Sequence, residues 1–588
     1  MKTTKWKKNM GIAIALLSLS VLGACSSKDD GKAASTKDAD GNYSEEIQID
    51  VFDGLANYMG VQEGWFAKTV KDKFNMDLNI IAPNVAGNGD TLFQTRTAAG
   101  NLGDLIIVNT GEQLNDLVEA GLLYNLDDYY KNMDNVQNYD MATKEINKDF
   151  DATYAIPTGV SDQSPDTPSE GLDLNYGAYI RWDLYKQLGY TEVNTLEDLL
   201  PVMKDMQGLA NEDSANGKVY GFSLFSDWDG NMMGAGKQLA ALYGYDELGF
   251  VLAKADGSEY QSIIDTDSEY IRALKFYYEA NQMGLIDPES TTQNYDTLQA
   301  KFKNGQVLFS WWPWLGQSAY NTTENLNAGK GFMLVPIKDQ EIFSYGAPVY
   351  GSKQFIGIGS EAKDPERLAE FINWLYSPEG VLANSSQTLG SSGPKDLTWK
   401  VNADGKPELT EFGVQALIDG KATMPEEYGG GDYVDGISAL NISTVLPIDN
   451  NPETGYPYNF NLWETYQESD TNPVKDDWRE KLDAQTTLEY LEKNNQVLVA
   501  PGATSVSEED SSEISTLRNQ TKDIIVQYSW QMVFAKNEDE FNSLLKEMQK
   551  TAKGLGYDQV FEFDMTRAEK QNNDRVEVMA DYEKNKDK

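Results

Sequence analysis

The sequence predicts an α/β protein whose sheets are mixed, mostly parallel and flanked by helices. Two patterns carry that prediction. Ile47, Ile49 and Val51, and again Met76, Leu78 and Ile80, alternate with the two-residue period of half-buried strands, while Trp65, Phe66, Val70 and Phe74 between them have helical spacing. Leu105, Ile106, Ile107 and Val108 then form an unbroken apolar run, the mark of a strand buried on both faces. Strands alternating with helices imply parallel pairing, with ligand crevices at the carboxyl ends of the strands. Those ends carry Asp53 and Asn109-Thr110.

The remaining elements follow in order. A helix covers roughly 90–99, and Leu114, Leu117 and Val118 mark another, closed by Gly121. A second α/β region follows Tyr154-Ala155-Ile156-Pro157. Tyr179, Ile180 and Arg181 lead into a helix bearing Leu184 and Leu188, and Leu196, Leu199, Val202 and Met206 form a further apolar face. Thr266 and Glu269 have the spacing of a capping box for the helix bearing Ile271, Leu274 and Tyr278, which stops at Gly284. Val307-Leu308-Phe309 enters the most aromatic segment, Trp311-Trp312-Pro313-Trp314, where Pro313 favours a loop. Asp364 as N-cap and Pro365 as first helical residue open a helix with Leu368, Phe371, Ile372 and Leu375 on one face.

The amino terminus carries an address. Lys2, Lys5, Lys7 and Lys8 precede an apolar run of about 13 residues, too short to span a bilayer and suited to a secretion signal. Directly after Gly23-Ala24 stands Cys25, the only cysteine of the chain. This arrangement resembles a bacterial lipobox, in which the cysteine becomes the lipidated first residue of the mature protein. Residues 1–24 are then the signal peptide, and residues 25–44, nearly free of bulky apolar side chains, a flexible tether. Lipid anchoring outside the membrane needs no spanning helix.

Composition excludes whole classes of activity. Loss of the first 24 residues removes four lysines and leaves 45 basic against 93 acidic residues, a net charge of about −48 that repels nucleic acid. The chain contains no histidine, so Ser-His-Asp and Cys-His catalysis and His-ligated metal sites are ruled out. With Cys25 lipidated, no internal disulfide forms. A length of 588 residues with 40% hydrophobic content calls for two or more domains.

Several stretches occur in a telling order: GWFAKTVKDKFNMDLNIIAPN, TRTAAGNLGDLIIVNTGEQLNDLVEAGLLYNLDDYY, YAIP, YIRWDLYKQLGY, FKNGQVLFSWWPWLG, DPERLAEFINWLYSPEG and WQMVFAKNEDEF. In this order the chain resembles a long member of the family 1 extracellular solute-binding proteins, lipoproteins that capture sugars for ABC importers in Gram-positive bacteria. The resemblance implies a two-lobed, class II periplasmic-binding-protein-like fold with extra C-terminal helices. Lobe one would comprise 45–157 and 350–393, and lobe two 158–349 and 394–588. It also implies a monomer on the outer face of the cell membrane, a sugar ligand, with an oligosaccharide favoured, and ABC permease subunits as partners.

Sugar rings present C–H faces that stack on indoles and phenols, and hydroxyls that need polar partners. In this family a Trp-bearing segment at the place of Trp311, Trp312 and Trp314 commonly faces the cleft; packing in the core is the alternative for at least two of the three. Trp228 lies in the turn-like Ser226-Asp227-Trp228-Asp229-Gly230. Asp53 and Asn109 are candidates from the first lobe, with helix capping or a turn as the alternative, and Arg181 is either a ligand contact or a salt-bridge partner. Tyr345, Tyr350, Tyr433 and Trp463 lie in stretches that could line a cleft. A calcium loop begun at Glu212 places Gly217 sixth but Ser223 twelfth, where a carboxylate is required, so an ordinary polar turn is favoured and no cofactor is expected. Glycoside hydrolysis would need two flanking carboxylates, for which no spacing signal exists. The remaining alternative to transport is a surface sensory or adhesion lipoprotein that binds glycans.

Overall fold

A computed structural model describes residues 37–39, 41–83, 85, 89–212, 217–384, 391–503 and 509–586. Cys25, the signal peptide and residues 213–216 of the candidate calcium loop lie outside the described residues. The end of the expected tether is docked instead of free. Tyr43 is buried, its hydroxyl donates to Glu370 Oε2 at 2.7 Å, and the Arg367 guanidinium covers its ring at 4.1 Å. An aromatic ring with a ready carboxylate and guanidinium is more stable packed than solvated, so globular structure begins ahead of Glu45.

The first lobe holds a six-stranded sheet in the order Gly60–Val61, Met76–Ile81, Ile47–Asp53, Leu105–Asn109, Gln354–Ile358, Ile156–Pro157. Ile47–Asp53 is parallel to both neighbours, which requires the crossover helices Gly64–Phe74 and Gly89–Ala98. Gln354–Ile358 runs antiparallel to both of its neighbours. The apolar run reads as expected: Leu105 and Ile107 enter one core, Ile106 and Val108 the other.

The second core gathers residues from Leu174 to Phe343 and from Val474 to Val560. Its central ladder, Phe309–Ser310 with Tyr179–Arg181 and Phe332–Leu334, is antiparallel, whereas Ile342–Tyr345 pairs in parallel with Val497–Ala500. The helix Glu269–Gln282 is capped by Ser268, whose hydroxyl accepts from Ile271 N, not by the expected Thr266. Glu269 is its first residue and pairs with Arg272 at 3.3 Å, while Thr266 Oγ1 accepts from Gln549 Nε2. Asp364 caps Pro365–Leu375 as expected.

The assignment of residues 394–588 to the second lobe needs correction. Trp399, Met424, Tyr433, Leu440, Val445 and Trp463 are buried in the first core. Trp65 stacks on Tyr433 at 5.4 Å and donates through Nε1 to Tyr433 O at 3.0 Å. The two backbones meet where Gly64 faces Gly436: a Cβ on Gly64 would lie 2.2 Å from Gly436 Cα. Residues through about Trp463 therefore belong to the first lobe, and the chain makes its last crossing before Val474.

Three terminal helices, Ser512–Val533, Glu538–Gly554 and Tyr557–Asn585, complete the second lobe. The last has 29 residues, about 44 Å at 1.5 Å per residue. Near its start Asp564, fully buried, accepts from Phe250 N at 2.8 Å and from Arg518 at 2.7 Å. Near its end Val578 packs with Val349 and Tyr350 at the crossover, and Tyr350 OH donates to Asp581 Oδ2 at 3.0 Å.

At the first crossing Asp449, buried, accepts from Ser161 Oγ at 2.6 Å and Asp162 N at 2.8 Å. Burial, reinforced by the charge of Asp162, pushes its carboxyl up to about 8. A raised acid favours the folded state most while it is protonated. Its contribution is full below about pH 4, near the pKa of an unfolded Asp, and is lost as pH rises to and through about 8. Melting temperature should therefore climb as pH is lowered from 8.5 to 6, and Asp449→Asn should flatten that climb. An identical pH profile in the variant would assign the dependence elsewhere.

Candidate ligand-binding site

The aromatic segment divides between core and surface. Trp311 is 2% exposed and its Nε1 donates to Tyr277 OH at 2.6 Å, deep in the second core. Pro313 does not sit in a loop: it is the first residue of the helix Pro313–Tyr320, where its missing N–H is not needed, with Trp312 at the N-cap position. That placement stacks Trp312 on Trp314 at 4.5 Å and 17° and leaves Trp314 40% exposed. Trp228 is 51% exposed and stacks on Tyr295 at 4.7 Å and 24°. Its turn is held by Asp229, which accepts from Gly234 N at 2.7 Å and Trp530 Nε1 at 2.7 Å. The Trp228 and Trp314 rings lie 6.1 Å apart, so two exposed aromatic plates stand side by side.

A chain of contacts leads from these plates around a polar basin and back. Trp314 Nε1 donates to Asn175 Oδ1 at 3.1 Å. The neighbouring Tyr176 packs edge-on to Phe343 at 6.4 Å, and Phe343 to Tyr345 at 4.8 Å. Tyr345, 43% exposed, donates from its hydroxyl to Asp246 Oδ2 at 3.0 Å. The adjacent Glu247 accepts from Asn231 Nδ2 at 2.8 Å and pairs with Lys237 at 2.9 Å. Asn231 follows Trp228 by three residues, which closes the circuit.

The basin is electrostatically dense. Burial raises Asp246 above the usual carboxylate range against the pull of Lys237. Burial also works against the Lys237 charge, but Glu247 and Asp246 outweigh it and hold that ammonium above its ordinary value. Behind Tyr345, Glu170 is raised by burial, against the pull of Ser344 Oγ, which donates to its Oε2 at 2.5 Å, and of nearby backbone N–H groups.

The other candidates lie apart from this circuit. Asp53 is buried, and its carboxylate accepts from Leu55 N at 2.9 Å, Ala56 N at 3.0 Å and Asn441 N at 3.3 Å. These bonds cap the turn that follows its strand, and burial raises the carboxyl to about 6. Asn109 is exposed at its strand end, its N–H donating to Gln113 Oε1 at 2.9 Å. Arg181 is clamped by Asp183 at 2.8 and 2.7 Å and covers the Tyr320 ring at 4.3 Å, all within the second lobe. Tyr350 is buried against the last helix, and Tyr433 and Trp463 lie in the first core. Beyond Asn109 the first lobe opens on a cavity of about 450 Å³ lined by Thr110, Asn115, Phe150, Tyr350, Ser352 and Lys570. Sequence reasoning missed Asn175, Tyr176, Asn231, Lys237, Asp246, Glu247 and Tyr295, which are scattered polar and aromatic residues without a shared period.

Stacked plates beside paired donors and acceptors suit a polyhydroxylated solute with apolar faces. Among the described residues no group of three or more His, Cys, Asp or Glu side chains could hold a metal ion, and no helix is long and apolar enough to cross a membrane.

The chain belongs to the family of bacterial extracellular solute-binding proteins, whose model matches residues 65–382. No curated protein sequence matches it. Its fold is similar to that of an HMO-binding, ABC-transporter-associated solute-binding protein from Bifidobacterium longum infantis, at 14% identity over 89% of this chain and 98% of that chain, with a TM-score of 0.54. It is likewise similar to the S. pneumoniae ABC-transporter substrate-binding protein FusA in complex with kestose, at 16% identity over 89% and 99%, TM-score 0.52. A third is an extracellular solute-binding protein from Bifidobacterium longum subsp. infantis, at 16% identity over 91% and 100%, TM-score 0.52. These likenesses establish the fold.

The division of the tryptophans is testable by stability. Trp311→Ala should cost about 3–5 kcal/mol, as loss of a buried ring does, whereas Trp228→Ala and Trp314→Ala should each cost about 1 kcal/mol or less. Denaturant unfolding measures all three, and equal losses would mean that the exposed plates are structural.

Proposed function

We propose that the protein is a lipid-anchored binding protein that captures a sugar, favouring an oligosaccharide, between its lobes and delivers it to an ABC import permease. The observation that carries this reading is the pair of exposed plates, Trp228 on Tyr295 and Trp314 on Trp312, beside the polar basin. Two adjacent plates offer stacking surfaces for more than one ring, which favours an oligosaccharide over a single sugar. The HMO-binding protein and the kestose complex support the sugar assignment as fold relatives. Hinge closure around a solute suits two cores joined by three crossings. The lipidated cysteine would hold the protein beside its permease.

Titration with neutral oligosaccharides should quench or shift tryptophan fluorescence and raise the melting temperature with ligand concentration, as binding to the folded state requires. The saccharide should be recovered uncleaved. A panel of plant and host oligosaccharides without any stabilising member would overturn the sugar assignment, and cleavage products would replace binding with catalysis.

Anchoring is tested separately. Cys25→Ala should leave the protein unprocessed or released from the membrane while the affinity of the soluble body stays the same. Normal membrane retention of the variant would remove the lipid anchor from the proposal.

A further inference from the structure

The described structure contains eight arginines, and seven have a partner. Arg181, Arg272, Arg367, Arg518 and Arg567 pair with carboxylates. Arg96 and Arg479 donate to backbone carbonyls. Arg575 is the exception: it is 6% exposed, yet among the described residues its guanidinium has no hydrogen-bond or ion-pair partner. A permanently charged fork of five donors, held in a nearly buried side chain and reached only narrowly by solvent, is costly unless something supplies acceptors.

Its position in the last helix shows what it faces. Three residues before it, Asn572 closes on Gly257, where a Cβ would lie 2.0 Å from Asn572 Oδ1. Three residues after it, Val578 packs on Val349 and Tyr350. The helix also packs on the strand Tyr245–Leu248, and Arg575 lies within electrostatic reach of Asp246, Tyr345 and Tyr260, the first two being members of the basin beside the aromatic plates. Among the described residues the Asp246 carboxylate accepts from Tyr345 OH and Glu247 N and forms no ion pair with Arg575.

We infer that the last helix contributes Arg575 to the ligand site, where Arg575, Asp246 and Tyr345 together grip adjacent hydroxyl groups of a neutral sugar. The inference rests on the sugar-binding reading above. A hydroxyl can accept from the guanidinium while donating to the carboxylate, which satisfies both buried charges at once. An anionic sugar fits less well. Lys237 is already tied to Glu247, and Asp246 faces the remaining cation with Glu247 and Glu170 elsewhere in the same basin, so an added anion would meet their repulsion. Burial counts against the Arg575 charge and Asp246 counts for it, in keeping with a cation awaiting acceptors.

Calorimetric titration with 1-kestose, maltotriose, galactotriose and trigalacturonate tests this on the full mature chain. Wild-type protein should bind a neutral trisaccharide in preference to trigalacturonate. Arg575→Met should lose roughly tenfold or more in affinity for that sugar, with Arg575→Lys intermediate and Asp246→Asn similarly impaired. The melting temperature of ligand-free Arg575→Met should be unchanged or higher, because an uncompensated charge has been removed; a residue needed only for folding would lower it. If wild type binds a neutral sugar and Arg575→Met binds it equally well, this inference alone falls. If trigalacturonate binds best and Arg575→Met abolishes that preference, the neutral assignment is overturned. If wild type binds none of the four sugars, the inference falls together with the sugar reading.

Discussion

The antiparallel ladder between Gln354–Ile358 and Leu105–Asn109 is the contact on which the whole arrangement depends. It joins two stretches of the first lobe that are separated in sequence by most of the second. Ile356 and Ile358 complete the core that Ile47–Asp53 and Met76–Ile81 begin, and the helix Pro365–Leu375 follows to cover it. Without that strand the central run Leu105–Val108 would have an open edge, and a strand apolar on both faces is a poor edge. The second lobe is in this sense a long excursion closed by one ladder, and the crossings at its two ends are held side by side. Thr158 N donates to Gln354 O at 3.1 Å, and Ser352 N to Thr158 O at 2.6 Å.

Local regularities were legible in the sequence because their causes are local. The two-residue alternation of Met76, Leu78 and Ile80 appears as one buried face of a strand. The unbroken run at Leu105 appears as a strand between two cores, and the Asp364-Pro365 cap appears in place. Choices among neighbouring caps were less legible. Thr266 and Ser268 both suit an N-cap, and the decision fell to Ser268 once Gln549 engaged the Thr266 hydroxyl. Pro313 was ambiguous for the same reason, since proline disfavours a helix interior yet suits its first turn.

Long-range placement was not legible. The meeting of Gly64 with Gly436, which seats residues near 433 on the first lobe, depends on a close backbone approach that no periodicity reveals. The candidate site shows the same limit. Composition directed attention to the tryptophans, but only packing separates Trp311, donating to a buried tyrosine, from Trp314, the second residue of a helix at the surface. The polar basin was invisible because Asn175, Lys237, Asp246 and Tyr345 come from separate elements and meet only when the second core closes. The strongly acidic composition was equally uninformative here, since a net charge describes the average surface while the basin sets the Lys237 ammonium among carboxylates.

The last helix has a mechanical consequence. It is a single rod of 29 residues seated on the second lobe at Asp564 and on the crossover at Val578 and Asp581. A rod fixed on both sides of a joint resists folding of the joint across its length but permits rotation about its own axis. The closure proposed above has to respect that rod, turning the lobes about an axis that keeps its contacts at both ends.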